Sequence, residues 1–309
     1  MFEKFIARYE NALLNDVIPF WEKNCVDKEF GGYFTSLDRD GSVYDYNKYM
    51  WMQWRIVYMF GEFYASEYKK DNFLKIASDG FDFLYKNGRA EDGSYYLALN
   101  RAGEPIISQY NVFSDCFAAM GAAEMYRATG EKRYFDMAKN KFEIYLLHGM
   151  TLTYENFNWF GREKSWTEPC AVVDSLMLAN SFYHYTKETR YLTLARRIWF
   201  NGLQFCQRPD GGCGSNSCVT KENPILSVKS LQNSFCCNMR YAEGILEVMK
   251  NERLFERNEN AEETVDEYGR HFVDDLMLVL WNGKKVPLFS CRDFKTYDEI
   301  KDLQLTVLY

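Results

Sequence analysis

The sequence predicts an all-α protein, an (α/α)6-like toroid of helical hairpins with short β-hairpin excursions and a strand-rich C-terminal segment. Two observations predict it. Apolar residues recur at three- and four-residue spacings through most of the chain, as they do in helices with one buried face. The joint between helices also repeats: Thr129-Gly130-Glu131-Lys132-Arg133-Tyr134 with Ala138 returns as Thr186-Lys187-Glu188-Thr189-Arg190-Tyr191 with Ala195, and Phe73 with Ala77 anticipates both. A unit that recurs at a near-constant interval stacks on its neighbours and buries a continuous core.

Taken in order, residues 3–22 form an amphipathic helix through Phe5, Ile6, Tyr9, Leu13, Val17 and Phe20, which Gly31-Gly32 ends. Residues 33–44 alternate around Asp38-Arg39-Asp40-Gly41, a hairpin signal. A helix over 48–68 is apolar nearly all round (Trp51, Trp54, Ile56, Val57, Met59, Phe60, Phe63) and is therefore buried on most sides. A third helix covers 71–86, and a hairpin over 94–107 turns at Arg101-Ala102-Gly103. Two more helical hairpins follow, and a fourth begins at Cys236-Cys237 with a charged second helix near 262–272. The expected division is a toroid over 1–272 and a strand-rich segment over 273–309, read as part of a β-sandwich.

Composition narrows the function. With 309 residues, 47% of them hydrophobic, the chain buries a core of one large or two ordinary domains. A formal charge of −7 without a basic stripe argues against nucleic acid, and the interrupted apolar runs argue against a membrane span. The N-terminus, Met1-Phe2-Glu3-Lys4-Phe5, suits neither a signal peptide nor an anchor, so a cytoplasmic protein is expected, with a small carbohydrate as ligand and a homodimer as an allowed assembly. Nine cysteines, an odd number without a secretion signal, favour free thiols.

The densest chemistry lies between Glu168-Pro169-Cys170 and Cys236-Cys237. Glu168, Cys170, Cys236 and Cys237 can converge three thiolates and a carboxylate on one zinc ion, and both elements open helices, where the dipole favours thiolate. Buried cysteines are also ordinary small hydrophobes. Cys213 and Cys218, in a glycine-rich loop, offer a competing closed four-cysteine site; the expectation is that this loop covers the cleft instead.

Residues 1–140 resemble the N-acylglucosamine 2-epimerase and cellobiose 2-epimerase superfamily, in Pro19-Phe20-Trp21, Gly31-Gly32-Tyr33-Phe34, Asp38-Arg39-Asp40-Gly41 and the run from Lys48 to Arg55. Residues 168–250 resemble the β-L-arabinofuranosidase family of six-hairpin glycosidases, in Glu168-x-Cys170, Asp174 and Cys236-Cys237. The second resemblance implies zinc at those residues, Cys236 as nucleophile, and Glu155 or Glu163 as the acid/base upstream. The first implies proton abstraction by histidines, yet His148, His184 and His271 lie outside that family's Pro-Gly-His context. The favoured expectation is therefore a zinc-thiolate glycoside hydrolase. The alternatives are a sugar 2-epimerase or isomerase and a non-catalytic sugar-binding toroid with structural zinc. For the sugar itself, Arg55 is the expected binding cation, with Trp51, Trp159 and Trp166 as stacking walls and Asp115 as an inward carboxylate.

Overall fold

The computed structural model describes residues 2–108, 112–158, 165–233, 235–258, 260–289 and 291–309. The chain forms two compact units, Met1–Lys141 and Phe142–Tyr309, divided within the sequence of one helix.

The first unit opens with α1 (Phe2–Ala12) and α2 (Ile18–Asn24), joined by a π-helical turn, Leu13–Val17. Two antiparallel excursions follow: β1 (Ser36–Leu37) with β2 (Val43–Asp45), and the sheet β3 (Lys48–Tyr49), β4 (Ala98–Leu99), β5 (Pro105–Ile107). Both hairpins turn where the sequence places them, with Gly41 and Gly103 at positive φ. Between β3 and β4 run α3 (Met50–Ala65) and α4 (Asp71–Asn87), and α5 (Val112–Thr129) follows β5. Helix α3 buries Trp54, Ile56, Val57 and Phe60, as its all-round apolar pattern requires, and packs on α4 and α5. Its Gln53 side chain bonds both the N–H and the C=O of Tyr33, at 2.9 and 2.8 Å. Tyr33 in turn donates to the Ile76 carbonyl across Gly80, where a Cβ would stand 1.9 Å from its hydroxyl oxygen. Within the repeated joint, Tyr134 of α6 (Lys132–Gly149) meets the ring of Phe81 at 4.7 Å.

Three segments of this unit converge on Asp27. Lys48, fully buried, donates to its Oδ2 at 3.1 Å, while Arg101 supplies Nε at 3.1 Å and Nη2 at 3.2 Å. Burial alone would raise the Asp27 pKa, but bonds from Arg101, the Phe30 amide and Lys48 bring it below the ordinary value. The clamp ties the loop after α2 to β3 and to the turn between β4 and β5.

In the second unit, α7 (Pro169–Thr186) packs against α8 (Thr189–Arg197) and α10 (Phe235–Lys250). Tyr191, the counterpart of Tyr134, packs 5.2 Å from Phe182. A π-helical turn, Ile198–Leu203, carries α8 into α9 (Gln204–Cys206). Inside that turn the Asn201 amide donates to the carbonyls of Arg197 and Asp275 at 2.9 Å each and accepts the Met277 N–H at 2.7 Å. Helix and sheet are stapled there. The sheet runs β6 (Ile225–Ser227), β11 (Gln304–Val307), β9 (Leu276–Trp281), β8 (His271–Val273), β7 (Glu263–Val265), with β10 (Lys284–Pro287) also on β9. The helix expected near 262–272 is instead the β7–β8 hairpin. Its turn is set by Gly269 at φ +82° and by Asp266 Oδ1, which accepts the N–H groups of Tyr268 and Arg270. The boundary expected at 272 falls inside β8, and residues after it join the sheet of this unit.

Candidate functional site

In the first unit, Arg55 and Trp51 share a face of α3, one turn apart. The Arg55 guanidinium lies 5.1 Å from the Trp51 ring and 4.2 Å from that of Phe117 on α5, so it is held half-buried between two aromatic faces. Phe117 was not legible as a partner, because nothing in the sequence spacing relates it to Arg55. Trp54 is core, edge-on to Phe81 and Tyr95 at 5.3 Å each. Asp115 has no exposed surface and pairs with buried Lys141 at 3.1 Å. Burial raises the Asp115 carboxyl and lowers the Lys141 amine, each shift opposed by the partner's charge. That pairing makes Asp115 a structural ion pair and leaves it no face for a sugar.

In the second unit three of the four expected ligands, Cys170, Cys236 and Cys237, cluster, and Glu168 reaches one of them. Glu168 sits at the N-cap of α7 with Pro169 in the first helical turn, and Cys236 and Cys237 lie in the first turn of α10. The Cys170 thiol donates to Cys237 Sγ at 3.3 Å, and Cys237 Sγ lies 3.2 Å from Glu168 Oε1. The Sγ atoms of Cys170, Cys236 and Cys237 all lie within 4.8 Å of one another, Cys236 being the exposed member. The bond from Cys170 lowers the Cys237 pKa and raises that of Cys170, while burial raises Glu168. Cys213 and Cys218 are buried outside this cluster, and the Cys213 amide donates to Asn238 Oδ1 at 2.8 Å.

Glu155 lies in a closed polar network. Its Oε1 accepts Thr167 Oγ1 and Asn216 Nδ2 at 2.8 Å each, and its Oε2 accepts Thr153 Oγ1 at 3.2 Å. Burial pushes its pKa up to about 7, against the pull of these bonds. Trp166 is half exposed beside the thiol-bearing helix start. Trp159 and Glu163 lie outside the described residues.

The family model for N-acylglucosamine 2-epimerase (GlcNAc 2-epimerase) matches residues 32–222. N-acylglucosamine 2-epimerase of Mus musculus is 40% identical over 125 residues, which are 39% of this chain and 30% of that protein. Cellobiose 2-epimerase of Dictyoglomus turgidum is 30% identical over 134 residues, 43% of this chain and 34% of that one. These matches take in about a third of the relatives' own length. The solved cellobiose 2-epimerase of Bacillus thermoamylovorans superposes with a TM-score of 0.60 at 18% identity, over 82% of this chain and 69% of that one. This likeness shows the fold, which is of the expected (α/α)-toroid class. The expected β-L-arabinofuranosidase-type hydrolysis, with Cys236 as nucleophile and Glu155 or Glu163 as acid/base, is overturned: the family model and the curated relatives are epimerases. The burial of Glu155 agrees, since a carboxyl without exposed surface reaches no leaving group. Among the described residues no helix is long and apolar enough to cross a membrane.

Proposed function

The chain belongs to the N-acylglucosamine 2-epimerase family, and from that membership we propose that it acts on a reducing sugar, inverting or isomerising it at C2. The match over residues 32–222 carries this reading. Inversion at C2 of an open-chain sugar removes the proton beside the C1 carbonyl and returns one to the opposite face, through an enediolate. A fixed cation beside the developing oxyanion lowers that barrier. Arg55 is the group assigned to it, because the stack with Trp51 and Phe117 fixes its guanidinium, and Trp51 offers a ring face to the sugar. The test is proton NMR in deuterium oxide with N-acetylglucosamine, N-acetylmannosamine and cellobiose. The expected result is loss of the C2 proton signal with appearance of the epimer, slowed about 100-fold in Arg55→Ala. No exchange with any of the three sugars sinks the reading.

A second reading concerns the thiols: Glu168, Cys170, Cys236 and Cys237 hold one zinc ion that braces the first turns of α7 and α10. Its support is the three Sγ atoms within 4.8 Å, since a tetrahedral site with Zn–S of about 2.3 Å sets its sulfurs about 3.8 Å apart. Protein purified reduced and without chelator is expected to carry about one zinc per chain, lost in Cys237→Ala and kept when Cys213 and Cys218 are both serine. Metal-free protein under those conditions rules the site out.

A further inference from the structure

The second unit carries a cleft of about 870 Å³ that neither reading above uses. Two arginines lie in it. Arg197, in the last turn of α8, stacks 4.0 Å from the Phe272 ring, donates from Nε to Asp275 at 3.1 Å and from Nη1 to the Tyr154 hydroxyl at 3.0 Å, and stands 3.5 Å from Asp266. Its Nη2 has no acceptor among the described residues. Arg270 uses every nitrogen: Nε and Nη2 on Asp266 at 2.8 and 2.7 Å, and Nη1 on the Leu152 carbonyl at 2.9 Å. Arg270 thereby holds the 266–270 turn against the 151–155 turn. Tyr154, buried between these guanidiniums, is kept at φ +63°, a left-handed conformation that a non-glycine residue holds only where the surroundings over-determine it.

The rim differs from the floor. Lys221 is exposed and has no carboxylate partner among the described residues, while Tyr268 presents a half-exposed ring whose other neighbour is Arg270 at 5.1 Å. Arg190, also in the lining, is already paired with Glu188 and Glu143, and the acidic side chains of the lining are Asp266, engaged as above, and exposed Glu267. Basic groups thus outnumber acidic ones in this cleft, on a chain whose formal charge is −7. Asp266, Tyr268 and Arg270 come from the β7–β8 turn, beyond the residues 32–222 that match the family model.

We propose that this cleft binds an anionic sugar, its carboxylate or phosphate on Arg197 Nη2 and Lys221 and its ring face against Tyr268. The guanidinium is pre-oriented by three partners and a stacked ring, so little side-chain entropy is lost on binding. An anion takes the two unengaged donors, which a neutral sugar satisfies less well. The exposed tyrosine face suits the C–H face of a pyranose, and Thr189 and Thr193 line the same space. The assignment is independent of the epimerase reading.

Isothermal titration of the full chain with D-glucuronate, D-glucose 6-phosphate, D-glucose and inorganic phosphate tests it. Glucuronate or glucose 6-phosphate is expected to bind about tenfold or more tighter than both glucose and phosphate, with affinity falling as salt rises. Whichever of the two anions binds better identifies the group recognised. Lys221→Glu and Tyr268→Ala, both exposed and so neutral to folding, are each expected to weaken binding about tenfold. Glucose or inorganic phosphate binding as tightly as the anionic sugars overturns the proposal, as do unchanged affinities in both variants.

Discussion

Asp27 in the first unit and Glu155 in the second are both buried carboxyls, and they titrate in opposite directions. Each accepts several hydrogen bonds, so the number of bonds does not explain the difference. Asp27 faces Lys48 and Arg101, whose charges outweigh the cost of burial. Glu155 faces threonine hydroxyls and the Asn216 amide, with Arg208 acting through Asn216, and burial prevails. Two counter-charges together with the Phe30 amide hold Asp27 ionised, whereas neutral donors leave burial in command at Glu155; Asp115, raised although Lys141 stands 3.1 Å away, shows that one buried ammonium does not offset burial by itself.

The largest effect should come from breaking the charged member of the pair. Lys48→Met leaves Asp27 buried with Arg101 alone and is expected to cost about 3–5 kcal/mol in urea unfolding; a loss under about 1 kcal/mol would show that the clamp does not depend on Lys48. For Glu155, whose folded value is raised, the stability contribution is fully present below the ordinary value of 4.5 and is lost as pH rises through about 7. That is a swing of about 3 kcal/mol, visible as a fall in Tm between those pH values and flattened in Glu155→Gln. A wild-type Tm that is level across this window contradicts the neutral-network account. Asp27, with its lowered value, behaves oppositely: its contribution is present above the ordinary carboxylate value and is lost as pH falls through the folded one. Acid unfolding should therefore be less steep in Asp27→Asn than in wild type. At the small end, Asp79→Ala breaks the exposed Lys75–Asp79 pair and should change stability by under about 0.5 kcal/mol, which sets the scale for a carboxylate in water.

The hairpin repeat was legible because Tyr134 and Tyr191 do the same job: each packs beside a phenylalanine two helices back, Phe81 of α4 or Phe142 of α6. The thiol cluster was legible because its ligands are rare residue types at two helix starts. The 262–272 segment misled, since its charges alternate on a hairpin as readily as they face solvent on a helix, and the single Gly269 that decides the turn is easily passed over. For function, the rare cysteines stand out locally, while the family is carried by the longer match over residues 32–222. The Asp27 clamp and the cleft around Arg197 were invisible, because their members come together only through the fold and share no local spacing.

The π-helical turn at Ile198–Leu203 adds one residue to a helix without unwinding it: the Gln204 amide reaches back to the Trp199 carbonyl, five residues away. Everything after it is rotated by about 100° relative to an uninterrupted α-helix. Deleting one residue there would restore regular winding and swing Phe205 and Cys206 away from the interior they now fill, while removing Asn201 from the backbone of β9. The extra residue thus sets two things at once, the facing of Phe205 and Cys206 and the reach of Asn201 to the sheet, so the length of this stretch matters as well as its side chains.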